Sequence, residues 1–320
     1  NADGTIYGRF GTRSHHSEWV GDVSVAGLAR ALEGALELHR GYPSNKAQLA
    51  GKRGPKPPFP SPEKFPSLKD QFTSRLNYEG DVVKSCIHCH QIGDAVRDLY
   101  RAGGKPLPEE VLFPYPHPKS IGLILDPKER ASVVEVVEGS YADKSGFRAG
   151  DRIRTLDGQP LLSMADVQWV LHQTPATGAR VPASIDRGGR AETLELSLPK
   201  GWRQEGDISW RVSSWGLRRM TLGGLVLEEL PEEERARLRI PEGKMALRAK
   251  GVGQYGPHGA AKRAGFEKGD ILVSFDGRDD LLREADLFMH GMNAHKVGDE
   301  VRVTVLREGR RRELKLPMQP

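Results

Sequence analysis

The chain has 320 residues, with 48 Lys and Arg against 43 Asp and Glu, a formal net charge of +5, and 37% hydrophobic against 28% charged residues. That length predicts two or three domains, each able to bury its own core, and with no run of 18 apolar residues it gives no expectation of a membrane-crossing helix. The positive excess is small, and clusters such as Arg310-Arg311-Arg312 lack interleaved aromatics. This argues against nucleic-acid binding and for a basic face towards an acidic partner.

Asp3-Gly4 ahead of Thr5-Ile6-Tyr7-Gly8-Arg9-Phe10 predicts a hairpin turn and a strand. Ser24 predicts the N-cap of a helix carrying Leu28, Leu32, Ala35, Leu36 and His39, closed by Gly41 and Pro43. One hairpin and one helix do not make an independent domain, so residues 1–43 are expected to be the last part of something larger. The chain begins at Asn1 with no visible signal peptide, and is expected to be a processed or truncated product. Residues 44–67, with Pro55, Pro57, Pro58, Pro60, Pro62 and Pro66 among lysines, predict an extended linker.

Cys86 and Cys89 are the only two cysteines, and they stand in Cys86-Ile87-His88-Cys89-His90, a C-x-x-C-H string. This spacing lets two thiols bond one porphyrin edge while the adjacent histidine reaches the iron, so it predicts covalent haem c on Cys86 and Cys89 with His90 as iron ligand. A dithiol couple, a zinc site using Cys86, Cys89 and either His90 or His88, and an inert thiol pair are the alternatives. Ile92, Val96, Leu99 and Tyr100 recur at helical spacing up to Gly103, so a short amphipathic helix should follow. Residues 68–118 thus read as a small helical haem segment. The second iron ligand is open: His117, in a Pro-rich stretch, is the first candidate, His15 and His16 are weaker ones, and Met164 is more simply core. Two histidine ligands would favour electron transfer to a redox partner protein. In bacteria the attachment takes place outside the cytoplasm, so the reading implies an extracytoplasmic location.

The second half holds an internal repeat. Ala142-Asp-Lys-Ser-Gly146-Phe147-Arg-Ala-Gly150-Asp151 recurs as Ala261-Lys-Arg-Ala-Gly265-Phe266-Glu-Lys-Gly269-Asp270. Asp157-Gly158, Ala165-Asp166 and Arg187-x-Gly189 recur as Asp276-Gly277, Ala285-Asp286 and Arg307-x-Gly309. Each unit predicts strands and two helices in an α+β order. Between the Gly-rich elements, Glu232-Glu233-Glu234 behind Pro231 reads as a solvated helix start.

With that motif the repeat resembles bacterial PDZ domains, over 119–200 and 221–320 with a connector at 201–220. The resemblance implies binding of a peptide C-terminus added beside a strand. It implies a groove at Ser120, Ile121, Gly122 and Leu123 facing Val167, Val170 and Leu171, and another at Leu222, Gly223, Gly224 and Leu225 facing Leu287 and Phe288. The turn at Asp3-Gly4-Thr5-Ile6-Tyr7-Gly8, the Cys86–His90 string and Ser163-Met164-Ala165-Asp166-Val167-Gln168-Trp169 make the whole chain resemble bacterial thioredoxin-like/PDZ-domain proteins, some of them selenoproteins. The expected fold class is therefore a multidomain α+β chain: a partial thioredoxin-like remnant, a helical haem segment and two tandem PDZ domains. The expected function is electron transfer with a docking PDZ pair; the alternative is a binding scaffold with structural or sensory haem. No G-x-S-x-G elbow and no Ser in a Gly-Asn-Ser-Gly setting speaks for a serine protease centre.

Overall fold

The computed structural model describes residues 1–15, 21–80 and 82–320. In chain order its elements are α1 (Val25–Arg40), α2 (Lys46–Leu49), α3 (Val82–Ser85), α4 (Cys89–Ala102), α5 (Glu109–Leu112), β1 (Leu123–Leu125), β2 (Val133–Val136), α6 (Tyr141–Lys144), β3 (Arg152–Leu156), β4 (Gln159–Pro160), α7 (Met164–Gln173), β5 (Ala179–Arg187) and β6 (Arg190–Leu198). They continue with α8 (Ser214–Leu222), β7 (Leu225–Glu229), α9 (Glu232–Arg237), β8 (Leu247–Val252), α10 (Ala260–Arg263), β9 (Ile271–Phe275), α11 (Glu284–Ala294), β10 (Glu300–Arg307) and β11 (Arg310–Pro317). Two compact units result: Asn1–Pro58 with Phe113–Asp207, and Phe59–Leu112 with Ile208–Pro320. Each repeat thus carries an earlier piece of the chain as part of its own unit.

In the first unit β1 pairs with β2, and a second sheet runs in the order β4-β3-β5-β6. Alternate strand residues Val181, Ala183 and Ile185 meet Val167, Val170 and Leu171 of α7 in one core with Ile121, Leu123, Phe147, Ile153 and Trp202. In the second unit one sheet, β11-β10-β9-β8-β7, buries Val301, Val303 and Val305 with Leu287 and Phe288 of α11.

The repeated motifs have a common physical reason. Arg187 donates from Nε and Nη2 to both oxygens of buried Asp151, at 2.7 and 2.9 Å, and from Nη2 to the carbonyl of Gly146. Arg307 does the same to Asp270, at 2.6 and 2.7 Å, and to Gly265. The Gly-Asp turn and the distant Arg are therefore two halves of one bidentate tie. The repeated helix Asp is a cap: Asp166 accepts from the Leu162 N–H at 2.9 Å, and Asp286 from the Leu282 N–H at 3.1 Å.

Residues 1–58 correct the thioredoxin-like expectation. Among the described residues no strand precedes Leu123. The run expected to be a strand spends its backbone on α7 instead, the Arg9 N–H donating to Asp166 at 3.1 Å and the Arg9 carbonyl accepting from the Ser163 hydroxyl. α1 forms as its N-cap predicts, Ser24 Oγ accepting from the Gly27 N–H at 2.9 Å. The helix buries Gly27, Ala31 and Gly34, while Leu28, Leu32 and Leu36 face solvent. Small residues let this face approach closely: a Cβ on Gly27 would lie 2.1 Å from the Pro127 carbonyl oxygen.

Candidate functional site

α4 starts inside the C-x-x-C-H string, at Cys89, with His88 as its N-cap and the Gln91 side chain accepting from the His88 N–H at 2.7 Å. Cys86 Sγ donates to the Val82 carbonyl at 3.3 Å, and both cysteines are free thiols. The His88 and His90 rings are stacked 5.5 Å apart. The apolar face of α4, with Ile92, Ala95, Val96 and Leu99, is already covered by Phe59, Phe65, Leu68 and Phe72. The aromatic side chains of the preceding segment and this face of α4 form one small cluster.

Of the proposed second iron ligands, His15 and His117 belong to the first unit, and the string at 86–90 belongs to the second. His117 has its Nε2 3.5 Å from Asp22 Oδ1 and its Nδ1 accepting from the Lys119 N–H. His15 is exposed, and His16 lies outside the described residues.

The first repeat's loop, Ser120-Ile121-Gly122-Leu123, is a tight 3-10 turn ending in a left-handed Gly122. A side chain could not sit there, because its Cβ would fall 2.1 Å from Ser140 Oγ. The Ser120 and Gly122 N–H groups donate to the carbonyls of His117 and Lys119, so the turn satisfies its own amides. Ile121, Leu123, Val167 and Leu171 lie in the hydrophobic core. An open cleft of about 330 Å³ touches the loop, bordered by Lys119, Ser120, Gly122, Ser140, Tyr141, Lys144 and Glu205.

α7 is enclosed along its length: every residue from Met164 to Leu171 is buried, including Asp166 and Gln168. Its outer face is covered by the chain's own beginning. Arg9 stacks 3.6 Å above the Trp169 ring, Thr12 donates to Gln168, and Trp169 Nε1 donates to the Gly51 carbonyl at 2.8 Å. At the loop end, Asp22 accepts from the N–H and hydroxyl of Ser14 at 2.5 and 2.7 Å. Lys119 lies 3.1 Å from the other Asp22 oxygen and donates to Ser14 Oγ at 2.9 Å. At the far end of β1, Ser24 donates to the Pro127 carbonyl at 2.8 Å. Described residues between Gly8 and Ser24 therefore touch α7 at Asp166, Gln168 and Trp169, Lys119 ahead of β1 and Pro127 beyond it. Burial pushes the Asp22 carboxyl up, but the Ser14 hydrogen bonds and the nearby His117 and Lys119 outweigh it and hold it below its ordinary value.

In the second unit α8 packs on both α11 and β7 and leads into Leu222-Gly223-Gly224-Leu225. The Gly223 and Gly224 N–H groups both donate to the Arg218 carbonyl, a helix-ending arrangement that uses the loop's amides. Glu284, at the start of α11, accepts from Arg218 at 2.6 and 2.9 Å and from the β7 Leu227 N–H at 2.8 Å. Leu222 and Leu225 are fully buried.

Sequence reasoning missed Asp22, Lys52 and Lys119, whose partners lie far along the chain. Only Asp166 carried a signal, as a repeated position.

A PDZ domain model matches residues 132–178, and a second PDZ domain model matches residues 251–318. The chain carries two PDZ domains. A DegP-like periplasmic serine endoprotease of Pseudomonas fluorescens is 26% identical over 180 residues, which is 56% of this chain and 36% of that protein. A do/HhoA-like periplasmic serine protease of Haemophilus influenzae is 26% identical over 149 residues, 47% of this chain and 28% of that one. The chain spans about a third of the length of such curated relatives. Among solved structures, the HtrA-type protease AlgW with decapeptide is similar at 16% identity, covering 44% of this chain and 48% of that one at a TM-score of 0.27.

These relatives overturn the haem reading. They are named as serine endoproteases, which use no covalent haem c, and their likeness to this chain is that of PDZ proteins rather than of a thioredoxin-like or cytochrome-type chain. The electron-transfer role, the redox partner and the iron ligands at His90, His117, His15 and His16 fall with it. The string at 86–90 is a thiol pair at a helix start. Among the described residues no helix is long and apolar enough to cross a membrane.

Proposed function

We propose that the chain is an extracytoplasmic recognition protein whose first PDZ domain binds the carboxylate end of a polypeptide in competition with its own Asp22 carboxylate. The observation that carries this reading is the Asp22 carboxylate, held by Ser14, His117 and Lys119, the last of which directly precedes Ser120. A carboxylate of the chain itself occupies the neighbourhood where a ligand's terminal carboxylate would be received, so the two compete for Lys119. Lys144, on the rim of the adjoining cleft, adds a second cation to that end. The relatives named as periplasmic support the location. Their proteolytic activity is a property of longer proteins, of which this chain matches only about a third, and this chain's own residues support recognition rather than bond cleavage.

The second domain is held differently. Its groove walls meet α8 through apolar contacts and the Arg218–Glu284 pair, so it acts as the fixed member of the two.

Fluorescence anisotropy with labelled peptides bearing free or amidated C-termini tests the reading. The Asp22→Asn chain should bind free-acid peptides at least about tenfold more tightly than wild type, because a site engaged by the chain's own carboxylate shows an apparent affinity lowered by the fraction left free. The amidated peptides should stay unbound. Equal affinity of both chains, or of both peptide forms, would reject the proposal.

A further inference from the structure

Three metal-ligating side chains converge at the other end of the second PDZ domain. Asp276 lies in the two-residue turn after β9, where Phe275 and Arg278 exchange N–H and carbonyl bonds and Asp276 and Gly277 both have positive φ, 56° and 74°. His290 lies in the last turns of α11, and His295 directly follows that helix. Nε2 of His290 is 2.8 Å from Asp276 Oδ2, and Nε2 of His295 is 2.9 Å from the same oxygen. The donors of all three residues fall within 4.8 Å of one another. Both imidazoles are largely buried, their side chains 15% exposed, while Asp276 remains reachable from solvent at 35%.

We propose that Asp276, His290 and His295 form a site for a divalent first-row cation of the zinc class. Two imidazole nitrogens and one carboxylate oxygen are a ligand set that such ions favour, and three protein ligands leave a position for water or a partner's group. Ligands about 2.0–2.2 Å from a tetrahedral zinc stand roughly 3.4 Å apart, so each histidine need retreat from Asp276 by only about half an ångström. The surroundings supply the outer support of a metal-bound imidazole: Nδ1 of His295 lies 3.8 Å from Asp299, and the His290 ring packs edge-on against Phe275.

The first PDZ domain provides an internal comparison. Its matching turn, Asp157-Gly158, has the same left-handed geometry, with Asp157 at φ 50°. The α7 positions aligned with His290 and His295 are Val170, a core residue, and Pro175. The turn needs the aspartate in either domain, but the two imidazoles over it belong to the second alone. Bound metal would tie the turn after β9 to the end of α11, the helix that walls the second groove.

The test is isothermal titration of zinc chloride into the full chain carrying Cys86→Ser and Cys89→Ser, which removes the competing thiols. One zinc per chain should bind, and thermal unfolding should shift upward with zinc. His290→Ala and His295→Ala should each weaken binding by more than tenfold, and Asp299→Asn by roughly tenfold, whereas His88→Ala/His90→Ala should leave this site intact. Copper(II) EPR on the same chain should show two nitrogen donors, reduced to one by either substitution at 290 or 295. No zinc uptake, or uptake abolished only by His88→Ala/His90→Ala, would overturn the assignment. Should an alanine variant unfold, His290→Gln reads the same loss without opening a cavity.

Discussion

Lys52 Nζ lies 2.9 Å from Asp166 Oδ1, with both side chains 1% exposed, and this buried pair fastens the chain's beginning to the helix that walls the first groove. Burial raises the Asp166 carboxyl and lowers the Lys52 ammonium, each counteracted by the other's charge. Asp166 also holds the Leu162 and Arg9 N–H groups. Removing one partner strands the other, so Lys52→Ala or Asp166→Ala should each lower unfolding stability by about 3–5 kcal/mol. Urea unfolding checks this. A loss under about 1 kcal/mol for both would mean that the pair is solvated and the segment loosely held.

Asp22 gives its tie to Ser14, His117 and Lys119 a pH dependence. Its folded carboxyl is depressed, so its contribution is complete above the unfolded value of about 4 and is lost as pH falls through the lower folded value. Wild type should therefore be more stable than Asp22→Asn at pH 6, and the two should converge as the pH drops below the ordinary carboxylate range. Paired thermal melts across that range check it; a gap that persists into strong acid would contradict the role of the charge.

Gly27 is a glycine in a helix interior, where alanine ordinarily gains about 1 kcal/mol. Here the added Cβ meets the Pro127 carbonyl. Gly27→Ala should instead destabilise by about 1–3 kcal/mol through overpacking, measured by urea unfolding, while a gain would show that α1 does not dock on this unit.

Arg203 is fully buried and donates to the carbonyls of Phe113, Leu171, His172 and Thr174, closing the C-terminal end of α7. Arg203→Ala leaves several buried acceptors without a charged donor and should cost about 3–5 kcal/mol. Hydrogen exchange should speed up first in the last turn of α7. A uniform change across the unit would instead mark Arg203 as general packing.

The two PDZ domains were legible because their signals are local and doubled. A left-handed Asp-Gly turn, a Gly-Asp tie to Arg187 or Arg307, and a helix-capping Asp each demand one residue type at one place. The α1 cap at Ser24 and the α9 start behind Pro231 were local in the same way. The haem reading failed because five residues at 86–90 specify thiols and imidazoles but not the protein around them, and the relatives of this chain are PDZ-bearing serine proteases. The role of the described residues between Gly8 and Ser24 was hidden for a related reason. Their contacts join residues more than a hundred positions apart, such as Arg9 with Asp166 and Lys119 with Ser14, and no periodicity announces them. The leucines of α1 face solvent, and Gly27, Ala31 and Gly34 make its buried face.

The most direct test of the competition between Asp22 and a ligand carboxylate is a disulfide lock that keeps the chain's beginning on α7, between two side chains that already touch. Thr12 donates to Gln168 across the covered face of α7. In a Cys86→Ser/Cys89→Ser chain, Thr12→Cys/Gln168→Cys should lose binding of a free-acid peptide when oxidised and regain it on reduction, as read by anisotropy. Equal binding in the oxidised and reduced forms would contradict the account.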